Sequence, residues 1–288
     1  MKNLEFYKLQ AQGNDFILID VRPYRGRGSD RLYKRWARQY CMRKTGVGAD
    51  GLLLIESSKK NLFKMRIFNP DGSEAEMCGN GARCVAFWGY LRVPGRKGMF
   101  TFDTVAGAIE TKVTHKAQRP FAGVGIKMVN PIGVSLDMPI RVMNRVVKVN
   151  YINTGVPHVV VFVQGLDKID VEAIGRAIRF HKKFKPQGTN VNFVEVVNDN
   201  HIKVRTYERG VEAETFSCGT GSVASAVIWA LQHADNRSYK KRSVKVEVTN
   251  GEILRVIFDK SQNLAHNVWL QGRVYFLYRG ELNLTAFK

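Results

Sequence analysis

The 288-residue sequence predicts an α+β protein made of two similar lobes. Three observations support this prediction: strand-like segments alternate with a few helical ones, two segments share one design, and these two lie about half a chain apart. The segments are Cys78-Gly79-Asn80-Gly81 and Cys218-Gly219-Thr220-Gly221. Because 44% of the residues are hydrophobic, the chain can bury the core of one large domain or of two ordinary ones.

In the first half of the chain, apolar runs bounded by turn residues predict strands at residues 6–9, 16–20, 51–55 and 63–69. An amphipathic helix with a solvated basic face is predicted over residues 31–38. A second helix, over residues 82–90, follows directly after the first cysteine segment. Residues 99–105 and 108–113 then predict a hairpin around Ala106-Gly107.

The second half repeats this order. Strands are predicted at residues 131–138, 145–150, 158–163, 192–197 and 203–207, with a helix over residues 171–180 among them. A helix over residues 223–231 follows the second cysteine segment, and strands at 244–249, 253–258, 267–270 and 274–278 follow that helix. Two facing lobes, joined near residues 123–131, would bring the two helix N-termini together at a central cleft.

The formal net charge of +20 raises the question of a nucleic-acid partner. Basic residues concentrate at 22–44, 179–185 and 237–245, but none of these segments has the pattern of a helix-turn-helix, a zinc finger or an aromatic-basic RNA-binding strand. We therefore expect no specific nucleic-acid partner, and only non-specific adhesion at low salt.

The N-terminal residues carry no apolar stretch of the kind found in signal peptides, and the longest apolar runs, such as residues 159–163, are too short to span a bilayer. These features predict a soluble, cytoplasmic protein without a membrane partner.

The four cysteines fall into two groups. Cys41 and Cys84 read as small buried residues, and the spacing of the four predicts neither a disulfide framework nor a zinc site, so no metal is expected. Cys78 and Cys218 differ because each precedes Gly-x-Gly at the start of a helix. The positive end of a helix dipole favours a thiolate, and the glycines let an anion approach the free backbone N–H groups of the first turn.

Two thiols at paired helix starts can perform one particular reaction. If a substrate carboxylate is held by both sets of N–H groups, its α-carbon lies between the two sulfur atoms. One thiolate can then remove the α-proton while the other thiol delivers a proton to the opposite face, which is racemisation or epimerisation by two bases. The two thiols are expected to titrate as one coupled unit.

Eight motifs taken in order carry a specific resemblance. In addition to the two cysteine segments, they are Gly13-Asn14-Asp15-Phe16, Gly48-Ala49-Asp50-Gly51, Phe68-Asn69-Pro70-Asp71-Gly72-Ser73-Glu74, Pro157-His158, Gly188-Thr189-Asn190-Val191-Asn192-Phe193 and Tyr207-Glu208-Arg209-Gly210. Together they resemble the diaminopimelate epimerase family over essentially the whole chain. Members of this family interconvert L,L- and meso-diaminopimelate without a cofactor, on the route to lysine and to peptidoglycan precursors.

The resemblance implies roles for individual residues. Cys78 and Cys218 would be the acid/base thiols, supported from close range by His158 and Glu208. The substrate would be bound by Asn14 at the reacting amine, by the backbone of Gly79, Asn80, Gly219 and Thr220 at the reacting carboxylate, and by Asn69, Asn190, Glu208 and Arg209 elsewhere, with Arg209 pairing with the distal carboxylate. Asn192 lies two residues beyond Asn190 and shares its strand face, which leaves the choice between them open.

The resemblance also implies the architecture. Each of two pseudo-symmetric lobes would be a curved, mostly antiparallel sheet wrapped around a central helix, with the active site in the cleft between them. Residues 1–123 with a returning segment 274–288 would form the lobe that carries Cys78, and residues 124–273 the lobe that carries Cys218. No pyridoxal phosphate, metal or nucleotide is implied, and the sequence contains no Gly-Lys-Ser/Thr phosphate loop or Rossmann fingerprint. A homodimer is left open.

Two positions depart from the family pattern. Val156 stands where many members have asparagine, and Gly51 stands where some have glutamine. Neither change touches the thiols, so the chemistry is better supported than the substrate. Two alternatives therefore stay open: a related two-cysteine racemase of another amino acid, such as histidine or a proline-type substrate, and a basic binding protein on an inactive epimerase scaffold.

Overall fold

The computed structural model describes residues 3–24, 29–93, 98–115, 119–233, 240–261 and 264–283. The chain divides into two compact units, Met1–Ile126 with Gly272–Lys288 and Lys127–Gln271. Both are mostly β-sheet, and the described residues contain four α-helices. None of the helices within these residues is long and apolar enough to cross a membrane.

The described residues of the first unit form ten α-helices and strands before the chain enters the second unit. They are β1 (Asn3–Ala11), β2 (Asn14–Asp20), α1 (Asp30–Tyr40), β3 (Gly51–Glu56), β4 (Lys64–Phe68), β5 (Glu74–Ala75), α2 (Gly79–Arg92), β6 (Met99–Thr104), β7 (Gly107–His115) and β8 (Phe121–Lys127).

In the second unit, the described residues form another ten α-helices and strands, followed by a strand that leads back into the first unit. They are β9 (Ile132–Val142), β10 (Arg145–Asn153), β11 (Pro157–Phe162), α3 (Val171–Arg179), β12 (Asn190–Asn198), β13 (His201–Glu208), β14 (Ala213–Thr215), α4 (Gly219–His233), β15 (Lys240–Glu247), β16 (Ile253–Ser261) and β17 (Leu264–Asn283).

Strand pairing in the first unit closes a barrel of eight strands. The order is β1, β2, β3, β4, β6, β7, β8 and β17, and β17 returns to pair with β1. The β2–β3 and β4–β6 pairs are parallel. The antiparallel pairs are β1–β17, β1–β2, β3–β4, β6–β7 and β7–β8. α2 is buried from Asn80 to Gly89 and contacts β1, β2, β4 and β7. A closed barrel leaves no edge strand to pair with other chains.

The second unit repeats the same series of pairings. Its strands run β9, β10, β11, β12, β13, β15, β16 and β17, with the β11–β12 and β13–β15 pairs parallel. In each unit, one amphipathic helix crosses between parallel strands, α1 in the first unit and α3 in the second. α4 is apolar on all sides and is buried from Gly221 to Leu231, as expected of a helix that contacts strands all around it.

The β1–β2 connection shows how local sequence sets the geometry near the site. Ala11 pairs with Asn14, and the two residues between them, Gln12 and Gly13, both have positive φ angles, of 50° and 85°. Two positive φ angles define the tight hairpin turn whose twist matches the flanking strands, and glycine at the second position removes the steric cost. Asn14 is consequently the first residue of a strand.

Several sequence predictions were wrong in detail. Residues 267–270 and 274–278 are parts of the single strand β17, because the Gln271-Gly272-Arg273 segment stays extended instead of turning. The boundary between the two units falls between Ile126 and Lys127, inside the predicted linker at 123–131, although β8 continues through this point to Lys127. β5 and β14 were not predicted, because strands of two and three residues have no readable periodicity.

Candidate active site

Cys78 is the residue that caps the N-terminus of α2. Its φ and ψ angles of −141° and 122° are extended, and its Sγ accepts a hydrogen bond from the backbone N–H of Gly81 at 3.5 Å. A side chain at Gly81 would bring its Cβ within 3.0 Å of Leu53, which explains the glycine there. The half-buried thiol therefore lies at the positive end of a buried helix, as the sequence predicted.

The start of α2 is tied to the β1–β2 hairpin by a fully buried arginine. Arg83 donates from Nη2 to Oε1 of Gln12 at 2.6 Å and to Oδ1 of Asn80. The Asn80 side chain thus binds Arg83 inside the unit, whereas the Asn80 backbone lies in the first turn of α2. Arg83 and Gln12 were not predicted as site residues, because nothing in the sequence links positions 71 residues apart.

Asn14 is held in place through its neighbour Asp15. Asp15 forms an ion pair with the buried Lys8 at 2.7 Å and with Arg43 at 2.9 Å, and its backbone C=O accepts from Asp50 N–H at 2.9 Å. Burial opposes ionisation of Asp15, but the hydrogen bonds from Arg43 and Lys8 outweigh it and lower the pKa of this carboxyl to about 2. The contacts between the motifs that contain Asp15 and Asp50 therefore stabilise the β1–β2 hairpin.

Asn69 opens an exposed turn after β4. Its backbone N–H donates to the carbonyl of Ser73 at 2.8 Å, and its side-chain Nδ2 donates to Ser73 Oγ at 2.9 Å. Asn69 is exposed, and its amide oxygen is used by no described contact in this turn.

Cys218 directly precedes α4 in the second unit, and its carbonyl accepts from the Ser222 N–H and the Ser222 hydroxyl, both at 2.9 Å. Cys218 is only 8% exposed. Burial raises the pKa of Cys218 to about 12, and the charge of Glu208 adds to this effect. Hydrogen bonds from the Thr220 hydroxyl and from the backbone N–H groups of Gly221 and Thr220 act in the opposite direction. The substrate-free protein therefore holds Cys218 as the neutral thiol.

Glu208 is the charged residue that raises the pKa of Cys218. Glu208 is the last residue of β13. Burial raises the pKa of its carboxyl. The Thr215 hydroxyl donates a hydrogen bond to Oε2 at 2.8 Å, which opposes this shift. The Glu208 charge in turn raises the pKa of Cys218, so the two groups are coupled electrostatically.

His158 is fully buried and contacts Thr220, a predicted site residue, and Asn192, the neighbour of the predicted Asn190 on the same strand face. Its Nε2 lies 3.0 Å from Thr220 Oγ1, and its Nδ1 lies 3.0 Å from Asn192 Nδ2. Burial is the main cause that lowers the pKa of His158 to about 3, the charge of Arg209 adds to it, and the contact with Asn192 opposes it. The ring is consequently neutral at physiological pH.

The position of its single proton follows from Asn192. Asn192 Nδ2 donates to the carbonyl of Val159 at 3.0 Å, and its Oδ1 accepts from the Thr206 hydroxyl at 3.0 Å, so the amide has one orientation. The second N–H of Nδ2 is directed at His158 Nδ1, which must accept it. The proton of the neutral ring is therefore on Nε2, which donates to Thr220 Oγ1.

Thr220 extends this chain of hydrogen bonds to the thiol, because its hydroxyl lies 3.5 Å from Cys218 Sγ. With His158 donating to the oxygen, the hydroxyl hydrogen is free to point at the sulfur. The chain from Asn192 through His158 and Thr220 thus delivers a hydrogen bond to Cys218, which stabilises its thiolate form. A Cβ on Gly221 would lie 2.3 Å from Asn192 Oδ1, so glycine is required there.

Asn190 and Arg209 form a separate pair. Asn190 Nδ2 donates to the carbonyl of Pro157 at 3.0 Å, and Asn190 Oδ1 accepts from the backbone N–H of Arg209 at 2.9 Å. The Arg209 side chain donates from Nη1 to the carbonyl of Gln187 at 3.1 Å, and no ion pair with a carboxylate is found for it among the described residues. Asn190 thus positions Arg209, and Asn192 supports His158, although both share one strand face.

A cavity of about 400 Å³ lies beside this pair in the second unit. Its lining includes Pro157, Gln187 and Gly188, but neither cysteine. Across the parts of the chain that the structure describes, no group of three or more His, Cys, Asp or Glu side chains is placed to hold a metal ion.

The fold class is known from solved structures. A phenazine biosynthesis protein of the PhzF family from Bacillus anthracis superposes with a TM-score of 0.72 over 98% of this chain and 99% of that one, at 17% sequence identity. This similarity establishes the fold alone.

Sequence similarity is more specific. A family model described as diaminopimelate epimerase matches residues 6–131 and 150–276. The diaminopimelate epimerase of Aquifex aeolicus (strain VF5) is 42% identical over 97% of this chain and 98% of its own length, and that of Hydrogenobaculum sp. (strain Y04AAS1) is 37% identical over 97% and 99%. The chain belongs to the diaminopimelate epimerase family, which confirms the resemblance read from its motifs.

Proposed function

We propose that this protein is an isomerase that converts L,L-2,6-diaminopimelate into meso-diaminopimelate, in the synthesis of lysine and of peptidoglycan precursors. One observation carries the proposal: in a chain that matches this family over both units, each unit places a cysteine at the start of a buried helix. This placement supplies a thiol and a set of free N–H groups from each unit, which is what inversion at a carbon beside a carboxylate requires.

In the proposed mechanism, the reacting carboxylate binds the backbone N–H groups of Gly79 and Asn80 on one side and of Gly219 and Thr220 on the other. These groups belong to the first turns of α2 and α4, where N–H groups have no partner within the helix. As the α-carbon loses its proton, charge develops on the carboxylate, and the helix N-termini stabilise it. The reaction needs no cofactor.

The proton balance requires both thiols. One thiolate takes the α-proton and becomes a thiol, while the thiol on the opposite face gives its proton to the carbon and becomes a thiolate. In a turnover that starts with Cys78 as the thiolate and Cys218 as the thiol, Cys78 is the base and Cys218 is the donor. The reverse direction exchanges the two roles, and Glu208 and His158 support Cys218 during both.

Substrate recognition uses the remaining predicted residues. Asn14 positions the reacting amine, Asn69 and Glu208 contact the substrate, and Arg209 pairs with the distal carboxylate. The Arg209 guanidinium, which has no described carboxylate partner, supports this assignment. Asn190 contributes through the Arg209 backbone that it holds.

The proposal includes a two-lobe architecture, with residues 1–123 and 274–288 in one lobe and residues 124–273 in the other. Each lobe would be a curved sheet around a central helix, and the active site would lie in the cleft between them. The equal order of strand pairings within each unit supports the pseudo-symmetry. The proposed partner is the small-molecule substrate, without a membrane or a specific nucleic-acid partner. We propose that the protein is cytoplasmic.

The test is proton exchange in D₂O. The reduced protein is incubated with L,L-diaminopimelate and, separately, with histidine, proline, glutamate and lysine, and α-deuteration and stereochemistry are followed. We expect deuterium in diaminopimelate alone, with the meso isomer appearing. Exchange into another amino acid would keep the two-thiol chemistry and transfer it to that substrate despite the family match. Absence of exchange in all of them would favour a binding scaffold instead.

A further inference from the structure

The segment that leads into Cys78 is held by one side-chain pair. Arg66 on β4 donates from Nε and Nη2 to the two carboxylate oxygens of Glu74, each at 2.7 Å. Glu74 opens β5, a strand of only two residues, and lies four positions before Cys78. We call this pair the Arg66–Glu74 clamp.

The second unit contains the same arrangement before Cys218. Arg205 on β13 donates from Nε and Nη2 to the two oxygens of Glu214, at 2.8 and 2.7 Å. Glu214 belongs to β14, a strand of three residues, and also lies four positions before its cysteine. We call this pair the Arg205–Glu214 clamp.

The two clamps occupy the same register. Glu74 pairs with Phe68, which is two residues after Arg66, and Glu214 pairs with Tyr207, which is two residues after Arg205. Residues at this diagonal offset lie on the same face of a sheet and within reach of a long side chain. The repetition shows that the clamp belongs to the plan of each unit, although the turn inside it is one residue longer in the second.

Each arginine has a second anchor near the start of the helix that crosses its unit. Arg66 Nη1 donates to Asp30 Oδ1 at 2.8 Å, and Asp30 is the first residue of α1. Arg205 Nη1 donates to the carbonyls of Leu166 and Ile169, at 3.0 and 3.1 Å, in the turn that precedes α3. The segment before each cysteine is thereby fixed to a second, independent element.

Other described contacts of these segments are single hydrogen bonds: Ala106 N–H donates to the Glu76 carbonyl at 3.3 Å, and Glu214 N–H donates to Glu172 at 2.8 Å. The Thr215 hydroxyl donates to Glu208 at 2.8 Å. Two residues, Glu76 and Met77, separate β5 from Cys78, and Phe216 and Ser217 separate β14 from Cys218. Phe216 is 68% exposed and contributes no burial. Short strands supply few backbone hydrogen bonds, whereas a two-pronged arginine–carboxylate pair fixes both distance and orientation. Arg66 has a side chain only 11% exposed, so water screens its pair weakly.

We propose that the two clamps are positioning elements for proton transfer, the Arg66–Glu74 clamp for Cys78 and the Arg205–Glu214 clamp for Cys218. The proposal rests on the proposed acid/base role of these thiols. Each clamp fixes the entry of the chain into its cysteine, and so the place of the sulfur relative to the helix start. Loosening one clamp displaces one thiol and leaves the other in place.

The experiment uses Glu74→Gln and Glu214→Gln, which keep the shape of the side chain but remove the charge that the arginine binds. The matched controls are Asp20→Asn, which breaks the two-pronged Arg22–Asp20 pair in the first unit, and Glu247→Gln, which breaks the pairs with His201 and Lys203 in the second. For each variant, kcat, KM and the alkylation rate of each cysteine by iodoacetamide, mapped by peptide mass, are measured.

We expect kcat to fall about 10- to 100-fold in either clamp variant with little change in KM, because a displacement of about 1 Å is enough for such a loss. Glu74→Gln should speed the alkylation of Cys78 several-fold and leave that of Cys218 unchanged, and Glu214→Gln should do the reverse. The two controls should match the parent protein. Equal changes at both cysteines, or unchanged kcat, would show that the clamps only stabilise their units.

Arg66→Lys and Arg205→Lys, which keep the charge but lose the fork, provide the same test if a Gln variant does not fold. A failure of the proposed function can be distinguished from a failure of the clamp proposal. Epimerisation that survives Cys78→Ala or Cys218→Ala would remove the acid/base assignment, yet cysteine-specific alkylation in the clamp variants would still report whether each clamp positions its own thiol.

Discussion

Thr220→Val tests the hydrogen-bond chain that ends at Cys218. Valine keeps the shape of threonine but lacks the hydroxyl that lies 3.0 Å from His158 Nε2 and 3.5 Å from Cys218 Sγ. The backbone N–H of residue 220 is retained, so carboxylate binding should change little. The substitution therefore isolates the hydroxyl.

Two effects follow from its loss. The fully buried Nε2–H of His158 loses its acceptor, which should lower the free energy of unfolding by about 1–3 kcal/mol. The Cys218 thiolate loses a hydrogen bond, and one to a charged group is worth about 1.5–3 kcal/mol. Since about 1.4 kcal/mol corresponds to a factor of ten in rate, kcat should fall about 10- to 100-fold in both directions. In the proposed mechanism both directions suffer, because every turnover passes through the Cys218 thiolate.

The assay measures kcat and KM for each stereoisomer against pH, together with thermal unfolding. Thr220→Ser is the matched control, because serine keeps the hydroxyl and should retain most of the activity. In the direction in which Cys218 is the base, the rate of Thr220→Val should recover at high pH, where more Cys218 thiolate forms. A valine variant with the parent kcat, or a serine variant as impaired as the valine one, would refute the reasoning.

Three further predictions concern the same site. Cys78→Ala and Cys218→Ala should each abolish epimerisation, measured as formation of the meso isomer, and substantial activity in either would remove the two-thiol assignment. Arg209→Met should impair diaminopimelate exchange far more than the exchange of any amino acid with a single carboxylate, and equal effects would make Arg209 structural. His158 should make the protein less stable in acid, because its pKa is lowered to about 3 in the folded state from an ordinary value of 6.5. The unfolded chain binds the proton first, so this contribution is complete above pH 6.5 and is lost as the pH falls towards 3, by up to about 1.4 kcal/mol per pH unit. Urea unfolding at several pH values should show a weaker acid dependence in His158→Gln, and an identical dependence would contradict the assignment.

The sequence predicted the parts of the site that depend on local geometry. A cysteine before Gly-x-Gly at a helix start is recognisable because capping involves only residues within one turn, and the structure places Cys78 accordingly. The burial of Cys41 and Cys84 was also predicted correctly. Most strands were found from alternating apolar residues, but β5 and β14 were too short for any period to be read.

Contacts across the sheet could not be read in this way. Asn190 and Asn192 look equivalent along the chain, yet Asn190 holds the Arg209 backbone and Asn192 fixes the proton of His158. Their difference arises from the register of β11 against β12, where His158 pairs with Asn190 and Val160 with Asn192. A shift of one residue would turn every side chain to the opposite face, and no local pattern reports such a shift.

The sequence by itself thus determined the family and the placement of two cysteines at helix starts, because each is encoded within a few consecutive residues. Tertiary structure alone decided which side chains reach those thiols. His158 and Thr220 lie 62 residues apart, Arg83 and Gln12 lie 71 apart, and each clamp joins two strands through one diagonal of the sheet. The pairing of the strands sets these distances, because strand register, and not sequence separation, decides which polar groups meet once water is excluded.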